Sequence, residues 1–372
     1  MKFNPSILQV CVDLDGGGID RYLYNYCTRI KGIDFDFAAV DNKEGILEEP
    51  LRQCGFNIYK VPRIKNSYRK NYLALKDIMS KKRYDAVHVH LGVFSLIALI
   101  AAKRCGIKTR IAHAHIAHVP ETFKDRIIRK ILTFFTKCYA TNLAACGIDA
   151  AKWVWGENLY QKGKVIIHNN AIETHLYKFD SKLRQSVREE LGINDTTLLV
   201  GHVGRLCEQK NQRRLVEIFS EINKRVPDSK LLLLGYQEES YKIDGDIKRY
   251  NLQDRVMVLG VRSDIPRLLN AMDVFVFPSK FEGLPFTLIE TQCNGLYSIS
   301  ASTVSSYVKV SDCIDFLSLN DGNDVWASKS ISMSSIGHNT NAVNDVISNG
   351  YDLDVESHKL KEYYLRLITE NA

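Results

Sequence analysis

Val274-Phe-Val-Phe-Pro-Ser-Lys-Phe-Glu-Gly-Leu-Pro-Phe-Thr-Leu-Ile-Glu290 reads as a buried strand, a glycine-containing turn and a helix. The four apolar residues at its start have no polar alternation, as expected of a strand covered on both faces. Pro285 suits the first helical position, where a missing N–H costs nothing. Backbone donors near Gly283 and Leu284 then point outward, and a helix N-terminus of this kind attracts phosphate. Glu282 falls on the lip of the turn and Glu290 on the helix, eight residues on. A phosphate-binding loop flanked by two carboxylates able to hold hydroxyls suits a nucleotide-sugar.

Outward from this stretch, short apolar runs alternate with longer helical patterns twice over. The first series is Ile7–Val12, Phe35–Val40, Ala86–His90, Thr109–His113 and Lys164–His168. The second is Leu198–Val203, Lys230–Leu234, Val256–Leu259, Val274–Phe277 and Tyr297–Ser300. Runs of this kind separated by helices predict βαβ units with parallel strands. Two series predict two Rossmann-like doubly wound α/β domains facing across a cleft, with ligand at the carboxyl ends of the strands. The boundaries are set at residues 1–175, 176–355 and a final helix in 356–372. Residues 301–355, rich in Ser and Asn, are left unplaced.

Three further segments carry chemistry. Gly201-His-Val-Gly-Arg205-Leu-Cys-Glu-Gln-Lys210-Asn211 follows a strand and precedes a helix. Two cations there would stabilise charge developing on a departing diphosphate, Arg as a fork and Lys as a point charge. The loop lacks the G-x-x-x-x-G-K-[ST] pattern of a P-loop. Gly16-Gly17-Gly18 follows the first strand and leads into the helix Tyr22–Ile30, so the backbone at Gly17 and Gly18 is open to a ligand. With Arg21 in the third glycine position, a dinucleotide fingerprint is disfavoured. Arg110-Ile-Ala-His113-Ala-His115-Ile-Ala-His118 ends another strand, and alternation puts His113 and His115 on one face. Zinc needs further ligands, and no neighbouring Cys or Glu pattern provides them.

Phe281-Glu-Gly-Leu-Pro-Phe-Thr-Leu-Ile-Glu290-Thr-Gln292, with Gly295-Leu296 following, resembles the donor-site signature of retaining GT-B glycosyltransferases of family 4 (group 1). Many bacterial capsule and exopolysaccharide enzymes belong to that family. The loop from Gly204 to Asn211 resembles its Gly-Arg-Leu-x-x-x-Lys-Asn segment, and Asn170-Ala171-Ile172-Glu173 loosely resembles its interdomain junction. The resemblance spans about residues 14–296. It implies that Glu282 lies near the donor sugar, Glu290 on the ribose and Arg205 with Lys210 on the diphosphate. It places Gly17 and Gly18 between acceptor and donor phosphate, and His115 against the sugar, with His113 as the alternative two residues back. Departures are Tyr236 where the family has a second glycine after Gly235, and Tyr297 in place of the commoner proline after Leu296.

The resemblance further implies a metal-independent, retaining, hexosyltransferase-type enzyme without a cofactor, using a nucleotide-sugar, UDP-linked by preference. The acceptor would be a glycan or a polyprenyl-diphosphate-linked sugar. Two other readings stay open: a nucleotide-sugar epimerase or hydrolase on the same fold, and a non-catalytic nucleotide-binding partner of a polysaccharide assembly complex. Four Asp-x-Asp matches, at Asp13/Asp15, Asp34/Asp36, Asp244/Asp246 and Asp352/Asp354, are read as structural or solvated rather than as metal sites.

Net charge is +7 over 372 residues. Residues 1–172 hold 27 Lys+Arg against 15 Asp+Glu, giving +12, and the remainder hold 23 against 28, giving −5. A basic first half predicts an anionic partner. Residues 121–137 mix aromatics with five basic residues, and residues 63–72 add a second cluster, which together suit an anionic membrane surface. Nucleic acid is disfavoured, because no recognition motif accompanies the charge. No apolar run reaches the length of a bilayer span. Nine cysteines without a C-x-x-C pair predict reduced thiols and a cytoplasmic protein, peripheral on the inner face of the membrane if the basic segments bind it.

Overall fold

The computed structural model describes residues 4–41, 43–115 and 122–371. His118 and Glu121, part of two sequence segments singled out above, lie outside the described residues. The chain divides into two compact units, one made of Met1–Ala171 with Leu353–Ala372 and the other of Ile172–Asp352.

The first unit is a seven-stranded parallel sheet. Its strands are β1 (Ser6–Cys11), β2 (Asp34–Ala39), β3 (Asn57–Lys60), β4 (Ala86–Val89), β5 (Thr109–Ala114), β6 (Asn142–Ala145) and β7 (Val165–Ile167). Their spatial order is β3-β2-β1-β4-β5-β6-β7, so the winding reverses between β1 and β4. The central strands sort their side chains by parity. Leu8 and Val10, Val87 and Val89, Ala112 and Ala114 enter one apolar cluster with Leu99, Ala102 and Trp155. The opposite parity carries Gln9, His88, His90, His113 and His115. Gln9 pairs in register with His88, and His88 with Ile111. The helix Gly18–Arg29 and the last helix, Leu353–Glu370, pack beside each other and bring Tyr22 and Tyr364 onto this polar layer.

The second unit is a six-stranded parallel sheet: β8 (Leu198–Val203), β9 (Ser229–Leu234), β10 (Val256–Val258), β11 (Val274–Phe277), β12 (Ser298–Ala301) and β13 (Ile314–Leu317). The order β10-β9-β8-β11-β12-β13 reverses between β8 and β11. One core gathers Val200, Phe219, Leu231, Val274, Ile299 and Trp326. The buried Arg188 costs little because its guanidinium donates to the carbonyls of Ala271, Asn194 and Thr197 and faces Asp273.

Three strands escape the sequence reading. Asn57–Lys60 and Ile314–Leu317 are sheet edges interrupted by polar residues (Asn57 and Lys60 in the first, Asp315 in the second), and Asn142–Ala145 is short and alanine-rich. The unplaced stretch 301–355 supplies β13 and the helices Asn323–Ser334 and Ala342–Ser348. Trp326 anchors it, fully buried, with its indole N–H donating to Ser318 O at 3.0 Å. Pro285 caps the helix Phe286–Asn294 from the position before the first turn, rather than standing inside it; its ψ of 122° is extended, not helical.

Candidate active site

In doubly wound sheets the crevice beyond the strand ends opens where the winding reverses. In the second unit that place lies between the ends of β8 and β11, and the two sequence motifs meet there. The loop after β8 runs Gly204-Arg205-Leu206-Cys207-Glu208-Gln209-Lys210; the loop after β11 runs Pro278 to Leu284. Lys280 N donates to Gln209 O at 2.8 Å, Gln209 Nε2 to Phe281 O at 2.9 Å, and Asn211 Nδ2 to Pro278 O at 3.1 Å. Lys280 and Glu208 form an ion pair across the same seam. The loops are therefore one hydrogen-bonded unit.

Lys210 Nζ lies 2.7 Å from Glu282 Oε1 and 4.7 Å from the centroid of the Phe277 ring. Both charged side chains are largely buried, at 16% and 9% exposure. Arg205 is more open, with Nε 3.4 Å from Glu238 Oε1. Glu290 is fully buried on the helix Phe286–Asn294, and Oε1 accepts from Tyr177 O–H at 2.8 Å. Among the described residues no side-chain hydrogen bond caps that helix, which starts at Phe286 just after Gly283, Leu284 and the N-cap Pro285. At its other end Gly295 has φ 74°, and a Cβ there would meet Asn339 O at 2.1 Å.

Sequence reasoning missed two supports of the loop, Gln212 and His202. Gln212 Oε1 accepts from Cys207 N at 3.2 Å, while Nε2 donates to Arg205 O at 3.0 Å. The same amide lies 3.1 Å from His202 Nε2, and His202 Nδ1 lies 2.9 Å from Val276 O. Burial and, less strongly, Lys210 push the His202 imidazole down to about 4, so it is neutral under Lys210. A neutral ring that accepts from Gln212 must carry its proton on Nδ1 and donate to Val276. The Gly-His-Val sequence in β8 was the available signal, because a polar residue inside a fully buried strand needs partners.

In the first unit the reversal lies between β1 and β4, and a cavity of about 790 Å³ opens at their ends. Its lining includes Val12, Asp13, Ile19, His90, Ala114 and His115, with Arg63, Lys65, Ile128, Arg129 and Trp153. Gly17 and Gly18 lie at the start of the adjoining helix. Gly17 is its N-cap and donates to Asp20 Oδ2 at 2.9 Å, and a Cβ on Gly18 would meet nothing within 4 Å. The conformation that needs glycine is one residue earlier, at Gly16, with φ 87°. Burial, with Asp13 nearby, raises the Asp20 carboxyl to about 7.

His113 and His115 do share a face, with rings stacked 4.0 Å apart. His113 is fully buried and outside the cavity lining, whereas His115 faces it. The structure adds His88 on β4 and His90 just past its end, which the sequence reading passed over although Val87-His-Val-His90 repeats the alternation of Ala112-His-Ala-His115. Burial pushes His88, His90 and His113 well below the usual imidazole range, and His115 to about 3. His88, His90 and His113 hold nitrogens within 4.8 Å of one another, the spacing of a possible cation site. His88 bonds to His113 and Tyr364, and His90 to His115 and Gln9, so a metal held by His88 and His90 would have to replace those bonds.

Three of the four Asp-x-Asp pairs are engaged in protein contacts: Asp36 accepts from Asn57, Lys82 and Tyr84, Asp352 from Thr174, and Asp354 and Asp246 face Arg29 and Arg213, while Asp13 lines the cavity. All nine cysteines are free thiols. Among the described residues no helix is long and apolar enough to cross a membrane.

Two parallel sheets with this topology are a GT-B fold. Anabaena HepE, solved in complex with UDP, superposes with a TM-score of 0.79 over 96% of this chain and 99% of that one, at 17% identity. Residues 184–311 match the family Glycosyl transferases group 1, so the chain carries a group 1 glycosyltransferase domain. That span contains Arg205, Lys210, Glu282 and Glu290. The putative glycosyltransferase EpsF of Bacillus subtilis is 27% identical over 328 residues, 86% of this chain and 85% of that protein. The Escherichia coli UDP-Gal:alpha-D-GlcNAc-diphosphoundecaprenol alpha-1,3-galactosyltransferase is also 27% identical, over 80% of each chain.

Proposed function

We propose that the protein is a retaining, metal-independent glycosyltransferase of bacterial surface polysaccharide synthesis. It moves a hexose from a nucleotide-sugar, UDP-linked by preference, to a glycan or polyprenyl-diphosphate-linked acceptor. The carrying observation is the seam that holds Lys210 against Glu282, with Arg205 on the same loop. A fixed cation beside a fixed carboxylate suits a ligand with a diphosphate next to a polyol. The galactosyltransferase named above acts from a UDP-sugar on a diphosphoundecaprenol-linked sugar, and HepE was crystallised with UDP and with UDP-glucose. Both names support the donor class, and the first supports the acceptor class.

In this reading Arg205 and Lys210 hold the diphosphate, and Glu282 orients the sugar hydroxyls. Glu290 binds the ribose, with Tyr177 fixing its carboxylate. Gly17 and Gly18 open the backbone toward a phosphate, and His115 offers its ring to a substrate hydroxyl, with His113, stacked against it, as the alternative on the acceptor side. The bond from the anomeric carbon to the diphosphate breaks as that carbon bonds to the acceptor oxygen on the same face. The acceptor's proton passes to the departing diphosphate, whose charge the two cations stabilise without a metal. The basic, apolar helix Phe123–Tyr139 seats the first unit on an anionic membrane on the cytoplasmic side.

Thermal shift with UDP, GDP, ADP and CMP, each with and without EDTA, tests the donor site. A ligand at a hundred times its dissociation constant adds about 2.7 kcal/mol. A rise with UDP alone, unchanged by EDTA, is expected. No rise with any diphosphate would defeat the catalytic reading, and a rise abolished by EDTA would defeat metal independence.

A further inference from the structure

Four histidines, a glutamine and a tyrosine in the first unit form one continuous hydrogen-bonded wire. Gln9, on β1, stands at its middle. Gln9 Oε1 lies 2.8 Å from His90 Nε2, and His90 Nδ1 lies 2.9 Å from His115 Nε2. On the other side Gln9 Nε2 donates to Tyr364 Oη at 3.2 Å. Tyr364 Oη lies 2.6 Å from His88 Nδ1, and His88 Nε2 lies 3.0 Å from His113 Nδ1. Every member but His115 is essentially sealed from solvent.

The protons on this wire follow from one group. A carbonyl oxygen only accepts, so His90 must carry its proton on Nε2. Burial keeps His90 neutral, which leaves Nδ1 as an acceptor. His115 must then donate from Nε2, and its own neutral ring leaves Nδ1 with a lone pair. Along the other arm the Gln9 amide donates to Tyr364, so the tyrosine O–H is directed to His88 Nδ1. His88 then donates from Nε2 to His113 Nδ1. His113 ends with its proton on Nε2, an atom that is buried and has no hydrogen-bond partner among the described residues. The two arms therefore end in opposite senses, a lone pair at His115 and an N–H at His113.

We propose that Gln9, oriented by Tyr364 of the last helix, is a positioning residue that sets the tautomer of His115 through His90. His115 thereby presents an unprotonated Nδ1, able to accept a hydrogen bond from a substrate hydroxyl. Only the use of that nitrogen rests on the function proposed above; the tautomer itself does not. A buried amide suits the task because it cannot titrate, and because a reversed amide would reverse every proton on both arms.

Long-range proton–nitrogen NMR correlations of protein labelled in histidine read each ring's tautomer directly. The wild type should show His90 and His115 protonated on Nε2. A His115 protonated on Nδ1 would overturn the proposal without any variant being made. Gln9→Leu and Tyr364→Phe, neither of which touches His115, should each leave His115 as a mixture of tautomers; an unchanged His115 in both would also overturn it. In transfer assays Gln9→Leu should lower kcat about tenfold while UDP affinity stays within about twofold, a split that general loosening of the unit would not give. Correct tautomers in a protein that transfers no sugar would sink the function and keep the wire. Transfer by a protein whose His115 ignores Gln9 would do the reverse.

Discussion

Lys210 has two neighbours that decide what a substitution at its site would do, the Glu282 carboxylate and the Phe277 ring. Removing the carboxylate leaves the ammonium held over the aromatic face and still able to meet a diphosphate. Glu282→Ala is therefore expected to change the dissociation constant for UDP by less than about threefold while lowering kcat on the order of a hundredfold. Titration calorimetry beside steady-state kinetics makes the comparison; equal losses in both would contradict a sugar-orienting role. That Glu282 and Lys210 each sit on a loop just past a buried strand was legible from motif order; their ion pair came only with the fold. Gln212 and His202 were not, because a glutamine early in a helix and a histidine in a strand acquire meaning only when the chain folds them against one another.

At the scale of elements, the helix Phe286–Asn294 is buried along its whole length and stops at a residue that tolerates no side chain. Gly295→Ala combines a left-handed backbone with a collision against the Asn339 carbonyl. The expected cost is about 3 kcal/mol or more, read as a lower denaturant midpoint at unchanged m-value. A variant within about 0.5 kcal/mol of the wild type would show that the contact relaxes freely. The helix Phe123–Tyr139 poses the opposite case. Thr133 and Thr136 face inward, whereas Phe123 and Phe134 are 77% and 64% exposed among Lys124, Arg126 and Lys130. The sequence left open whether its aromatics face a core; the structure turns these two outward. Cosedimentation with vesicles containing anionic lipid should exceed that with neutral vesicles and fall with salt. Replacing both Phe123 and Phe134 by Ser should cut it at least about fivefold, and equal binding to both vesicle types would remove the membrane from the proposal.

Across the whole molecule, the buried histidines link stability to pH. His115 and His168 are depressed to about 3, and His88, His90 and His113 lie well below their ordinary value, burial being the first cause in each. Their unfolded values lie near ~6.5, so as pH falls below that point the unfolded chain takes up protons that the folded one refuses. Stability is present above about 6.5 and is lost toward 3. Asp20, raised to about 7, and Asp13, also raised by burial, work in the opposite sense, gaining stability as pH falls, but they are outnumbered by these five imidazoles together with the lowered His202 and His338. The midpoint of thermal unfolding is expected to drop by at least ~5 °C between pH 7.5 and pH 5. A midpoint that holds or rises would mean the imidazoles protonate within the fold.

The sequence by itself determined the parallel doubly wound character of both halves, because uninterrupted apolar runs have no stable place except in sheets covered on both faces. It determined the order of the loops after β8 and β11, since composition and spacing are local properties of the chain. It did not determine the edge strands β3 and β13 or the short β6, which lack a clear apolar run, or the place of residues 301–355, whose buried residues, Trp326 and Ile314 among them, meet the core only in the fold. Nor did it reveal the histidine wire. Gln9, His88, His90, His113, His115 and Tyr364 come from four separate segments, and strand register together with the packing of the last helix brings them into hydrogen-bonding distance. Tautomers depend on which nitrogen meets which partner, and that is settled only in three dimensions.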